Sequence, residues 1–175
     1  MLPVVTSYLP AYFITLFTHE RSQIFNDVRR GYWLTHYLYD FQESARFELH
    51  GWCIMPDHVH LLFTPYTYKG RSSKDVAHSI VQRFRAVSGS FLSRHTQQAH
   101  AQFWDDHFDR RCISEEAFFW TFLTGIFYDP VHHGFVDDPV DYAFSSYHHF
   151  LHRHGTALVE LLRAQYSRQS HPLHI

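Results

Sequence analysis

Polar and apolar positions divide the chain into alternating strand-like and helix-like segments. Residues 12–18 are aromatic and β-branched and read as a buried first strand, followed by a polar loop at His19, Glu20, Arg21 and Ser22. Ile24, Val28, Tyr32, Leu34, Tyr37, Leu38 and Phe41 recur at helical spacing and predict helix one, despite Gly31 in its middle. Two apolar runs, 47–55 and 58–63, are separated only by Pro56 and Asp57, which predicts an antiparallel hairpin. A loop with Lys69, Gly70, Arg71 and Ser72 leads to helix two, whose Val76, Ile80, Phe84, Val87 and Phe91 form one apolar face. After a polar linker at 97–102, residues 103–113 predict strand four through Trp104, Phe108 and Ile113. Ser114 is the expected N-cap of helix three, with Glu115 and Glu116 set favourably against its dipole. Phe118, Phe119, Phe122, Leu123, Ile126 and Phe127 line that helix, and Pro130 should stop it near Asp129. Gly134 and residues 137–139 mark irregular chain, and a final helix over 157–166 precedes a frayed tail.

The order β-α-β-β-α-β-α with a central hairpin is the α+β, ferredoxin-like split β-α-β arrangement, an antiparallel sheet with helices packed on one face. One domain over 1–150 is expected, followed by a C-terminal helix and tail over 151–175. With 45% hydrophobic and 18% aromatic residues, the chain is globular rather than disordered. Its net charge of −2 does not advertise a nucleic-acid binder, yet only Lys69 and Lys74 are lysines among 15 Lys and Arg. Arginine is the better residue for bidentate phosphate contacts and for stacking. Cys53 and Cys112 are too isolated for a zinc cluster or disulfide framework, and no signal peptide or apolar span is visible. A cytoplasmic protein with no membrane partner is the expectation.

The chemistry concentrates at His58-Val59-His60. Strand alternation places His58 and His60 on one face, a ready pair of ligands for a divalent ion. With 17 histidines the chain should hold about one or two such patterns by chance, and His152-Arg153-His154 is the second. That one lies in a polar helical tail, where i and i+2 do not face each other. A solvated strand face is the plain alternative for the first. On helix two, Lys74, Arg83, Arg85 and Arg94 read either as an ordinary solvated face or as a phosphate track.

The residues then match a known family. Met55-Pro56-Asp57-His58-Val59-His60-Leu61-Leu62 resembles the His-hydrophobic-His (HUH) strand of the IS200-like, single-tyrosine transposases, and more closely their REP-associated branch. Residues 12–21 are similar to that family's opening strand and loop, and Phe103-Trp104 to the start of its fourth strand. Asp129-Pro130-Val131-His132-His133-Gly134-Phe135-Val136 resembles its Asn-Pro-Val segment, and Tyr142-Ala143-Phe144-Ser145-Ser146-Tyr147 its closing Ser-Ser-Tyr motif.

The resemblance implies a protein that nicks and rejoins single-stranded or hairpin DNA, as a monomer or homodimer. It implies that His58, His60 and Asp129 hold a divalent metal, Mg or Mn, which polarises the scissile phosphate. A helical tyrosine is the implied nucleophile. Arg21, Lys74, Arg83, Arg85 and Arg94 are the implied DNA contacts. The family tyrosine falls on Gly125, which has no nucleophile, and the nearest phenol is Tyr128. Three accounts stand: Tyr128 is a relocated nucleophile; the metal site persists without covalent chemistry in a protein that binds DNA or cuts it without joining; or Tyr128 is a packed ring. A small-molecule metalloenzyme built on the same histidines would instead need an enclosed apolar pocket.

Overall fold

A computed structural model describes residues 10–68, 70–94 and 102–166. Lys69, most of the linker at 97–102 and the tail beyond 166 lie outside them. Four strands, β1 (Ala11–Thr18), β2 (Phe47–Ile54), β3 (His58–Pro65) and β4 (Trp104–Ile113), form one sheet in the order β2-β3-β1-β4. Every neighbouring pair is antiparallel, so this is the expected α+β topology. β1 and β3 are buried along nearly their whole length because each has a strand on either side and helices above and below.

The period of two divides the apolar residues between two cores. Tyr12, Ile14, Leu16, Val59, Leu61 and Phe63 pack against helices α1 (Val28–Ala45) and α2 (Ser73–Arg94). Ala11, Phe13, Cys53, Met55 and Leu62 pack against α3 (Glu116–His132) and α5 (Thr156–Tyr166). Helices therefore cover both faces of the sheet, not one. Central strands that are apolar on both sides demand this.

Helix α1 starts later than the spacing predicts, at Val28, because Asp27 accepts the Arg29 N–H and caps it there. Ile24 belongs to a separate 3-10 turn, and Val28 and Tyr32 remain about half exposed, at 54% and 53%. Helix α3 is buried continuously from Phe119 to Pro130. It begins one residue later than expected, with Glu115 rather than Ser114 at the N-cap position and no side-chain cap bond. It also runs through Pro130 to His132 instead of stopping near Asp129. Proline forfeits one helical hydrogen bond and disfavours α geometry just before it. Here the burial of Asp129 and Pro130 against the sheet outweighs that bias.

Close approach of α3 to the sheet depends on Gly51. β2 shifts register between Leu49 and Gly51, and a Cβ on Gly51 would meet Leu123 Cδ1 at 2.5 Å. Beyond α3, residues 144–146 run along the outer edge of β2. Ile54 N donates to Phe144 O at 2.9 Å, and Ser146 N donates to Trp52 O at 2.9 Å. The Ser146 hydroxyl accepts from Trp52 N at 2.8 Å and donates to Trp52 O at 3.1 Å. Helices α4 (Tyr147–His154) and α5 follow, and α4 supplies the helical setting expected for His152 and His154.

Two stability predictions follow from β2. Gly51→Val should cost about 1–3 kcal/mol, read from urea denaturation, because the extra methyls must displace Leu123. His50, set edge-on to Phe119, is pushed down to about 4 by burial. Its contribution is fully present above the unfolded value near 6.5. Between pH 6.5 and about 4 the unfolded chain binds the proton and the folded one does not, so stability falls as pH falls through that window. The loss should be about 2 kcal/mol after allowance for partial exposure, and His50→Gln should flatten that limb of a Tm-against-pH curve.

Candidate metal centre

β3 presents His58 and His60 on the α3 side of the sheet, and each ring is fixed from behind. His60 lies opposite Thr15 on β1, and its Nδ1 is 3.0 Å from the Thr15 hydroxyl. His58 Nδ1 is 2.6 Å from Asp57 Oδ1, and the other oxygen of that carboxylate is 2.9 Å from Arg21 Nε. Both Nε2 atoms consequently turn toward α3. Such outer partners set ring orientation and raise ligand basicity.

Asp129 descends from α3 into this space with no exposed surface. Its Oδ2 lies 3.4 Å from His58 Nε2 and 3.5 Å from His60 Nε2. A third imidazole, His133, brings Nε2 to 3.6 Å from Oδ1. These separations exceed the roughly 2.7–2.9 Å of a charge-assisted hydrogen bond. By that measure neither buried Asp129 oxygen has a hydrogen-bond partner. A carboxylate enclosed without a partner among imidazole nitrogens is a donor set suited to a divalent transition ion, so the residues present fit one. Among the described residues, His58, Asp129 and His133 are the compact trio, with ligand atoms within 4.8 Å of one another.

Burial acts to raise the Asp129 carboxyl pKa, but the imidazoles directed at it dominate and hold it well below the usual carboxylate range. His58 is depressed by burial, yet the two carboxylates on either side of it leave it more basic than a free imidazole. His60 moves the other way, because burial and the neighbouring rings of His58 and His133 outweigh Asp129.

The remaining candidates are distributed unevenly. Tyr128, next to Asp129 in sequence, points about 100° away around the helix. Its ring is 8% exposed and packs beneath Arg163 of α5, whose guanidinium carbon is 5.7 Å from the ring centre. Burial raises its phenol. Gly125, one turn before Asp129, is buried and offers no side chain. Tyr142, which the sequence offers only as part of the closing motif, donates to Ile54 O at 2.8 Å, and burial, then Cys53 and Asp129, push its pKa upward.

Of the five expected DNA contacts, only Arg21 stands beside the histidines. It covers the Phe17 ring at 4.2 Å, and Phe17 in turn meets His58. Lys74, Arg83, Arg85 and Arg94 belong to α2, on the opposite face of the sheet. Lys74 and Arg83 are exposed there. Arg85 bonds Asp105 O and lines a groove of about 710 Å³ together with Arg94.

The histidine pair of β3 thus lies beneath the α3 carboxylate on a four-stranded antiparallel sheet. The family described as transposase IS200 like matches residues 6–113, and the chain belongs to it. A Haemophilus influenzae protein bearing the name REP-associated tyrosine transposase is 25% identical over 147 residues, which cover 78% of this chain and 79% of that one. The solved structure of a REP-associated tyrosine transposase bound to a REP hairpin superimposes with a TM-score of 0.62 at 20% identity, over 87% of each chain. A transposase-like crystal structure from Deinococcus radiodurans matches more loosely, with a TM-score of 0.46 at 22% identity over 60% of this chain and 79% of that one. Among the described residues, no helix is long and apolar enough to cross a membrane.

If the histidines ligate an ion, Asp57→Asn and Thr15→Val should each weaken Mn²⁺ binding by about tenfold or more in calorimetric titration, without changing the fold.

Proposed function

We propose that this protein binds single-stranded or hairpin DNA at a divalent-metal centre made by His58, His60 and Asp129, and that it has given up covalent strand joining. The observation that carries the reading is a buried carboxylate whose nearest donors are imidazole nitrogens 3.4–3.6 Å away, one helical turn after a glycine. His58, His60 and Asp129 converge on one another, which supports a metal role, while the position matching the family tyrosine is Gly125 and offers no phenol. When bound, Mg or Mn supplies Lewis-acid polarisation of a phosphate oxygen. Arg21 stands at the mouth to meet the same strand, with its guanidinium charge shared between Asp57 and the DNA backbone. Phe17 supports that guanidinium from beneath. Lys74, Arg83, Arg85 and Arg94 hold a different part of the nucleic acid, since they occupy the other face. The hairpin preference rests on the structural relative bound to a REP hairpin.

A second reading keeps Tyr128 as the nucleophile: it adjoins Asp129 in sequence, and Arg163 over its ring acts to lower the phenol pKa against the burial that raises it. The small-molecule metalloenzyme has no comparable support. The described cavity nearest that description, about 580 Å³ between β2, α1, α3 and α4, contains none of the candidate ligands.

One experiment separates the readings. The protein is titrated with a labelled DNA hairpin carrying a single-stranded tail, at low and moderate salt, and then incubated with Mn²⁺ and denatured. The expected result is affinity that falls with salt, with a log–log slope of about −0.7 per phosphate contacted on the single strand, and no denaturation-resistant adduct. An adduct that disappears in Tyr128→Phe would establish Tyr128 as nucleophile instead. Absence of any affinity at low salt would end both.

A further inference from the structure

Resting on the reading of His58, His60 and Asp129 as metal ligands, we infer that His133 is a further ligand of the same ion, and that it biases the site toward transition metals of low coordination number and away from Mg. Asp129 and His133 are four residues apart and share a helix face. His133 N donates to Asp129 O at 3.0 Å, so the helical path of α3 extends to His133 itself. The chain then turns through Gly134 at φ 72°, with Gly134 N bonded to Val131 O at 3.0 Å and Phe135 N to Pro130 O at 2.9 Å. That pair of bonds is a Schellman cap. His133 is thereby fixed to the end of a buried helix.

The Asp129 carboxylate divides its oxygens between two directions. Oδ2 faces His58 and His60, and Oδ1 faces His133. The nitrogen–oxygen contacts of 3.4, 3.5 and 3.6 Å bring all three imidazoles to the one carboxylate. Three imidazoles with one carboxylate match the ligand taste of Zn²⁺ or Co²⁺ rather than Mg²⁺, which prefers oxygen donors. Nitrogen-rich donor sets of this kind hold such ions with about four ligands. His133 is also the outermost of the three rings, with 27% of its side chain exposed against 4% and 3% for His58 and His60. It is therefore the ligand that an arriving strand meets first.

Co²⁺ serves as the probe, added to the full chain and followed by visible absorption and by competition with a chromogenic chelator. The wild type should take up one Co²⁺ with an intense four-coordinate spectrum and prefer it to Mg²⁺ by at least about a hundredfold. His133→Ala should lose at least about tenfold in Co²⁺ affinity, the loss caused by removing even an outer partner of a ligand. His133→Cys should recover the affinity and add a sulfur-to-cobalt charge-transfer band that the wild type lacks, a signature that a merely structural role cannot produce. Circular dichroism checks that each variant is folded. A wild type that binds Co²⁺ while His133→Ala leaves both affinity and spectrum unchanged, with no new band in His133→Cys, would overturn the role of His133 and leave the three-ligand centre standing. No Co²⁺ or Mn²⁺ binding by the wild type would overturn the centre itself.

Discussion

The arrangement of this molecule turns on one electrostatic problem, a carboxylate with no exposed surface and no donor at true hydrogen-bond distance. An ionised group in that position costs several kcal/mol unless positive charge is brought to it. The imidazole nitrogens of β3 and of the end of α3 surround it, ready to share a cation with it, and they do so only because α3 lies close to the sheet. Gly51, which leaves room for Leu123, and Phe13, whose ring stacks on His60 and meets Phe122, set the distance. The apolar contacts between α3 and the sheet thus fix where the charge sits, and the charge fixes what the site can hold.

The sheet order and the histidine pair were legible because both rest on the same alternation: a strand with neighbours on each side puts its odd residues one way and its even residues the other. Asp129 was reachable only through resemblance, since nothing local marks an aspartate before a proline as a ligand. His133 did carry a local signal, an i, i+4 relation to Asp129. That signal was hidden by the expectation that Pro130 ends the helix. Burial along α3 overrode the proline, and with the helix prolonged by a turn the two residues share a face. The approach of Tyr142 to Ile54 was not legible in the chain, because it spans 88 residues of sequence.

The charged residues of α2 teach a different lesson. Their helical spacing is correct, and Val76, Ile80 and Phe84 are buried as the pattern requires. What one-dimensional spacing cannot state is which side of the sheet a helix covers. α1 and α2 pack on one face and α3 on the other, so four arginine and lysine side chains are separated from the histidines by the full thickness of the sheet. Any nucleic acid touching both sets has to bend around an edge of the sheet.

The contacts of residues 144–146 with β2 bear on how this chain coexists with its own copies. A border strand with free amide and carbonyl groups is an invitation to annealing between molecules. The last residues of β2 are already occupied, in part by a serine hydroxyl that serves both a backbone donor and a backbone acceptor of Trp52. The Ser145-Ser146-Tyr147 signature is therefore a stopper as much as a label. A chain interrupted before it would keep its histidine-bearing strand but leave that flank adhesive, and would be expected to associate through it.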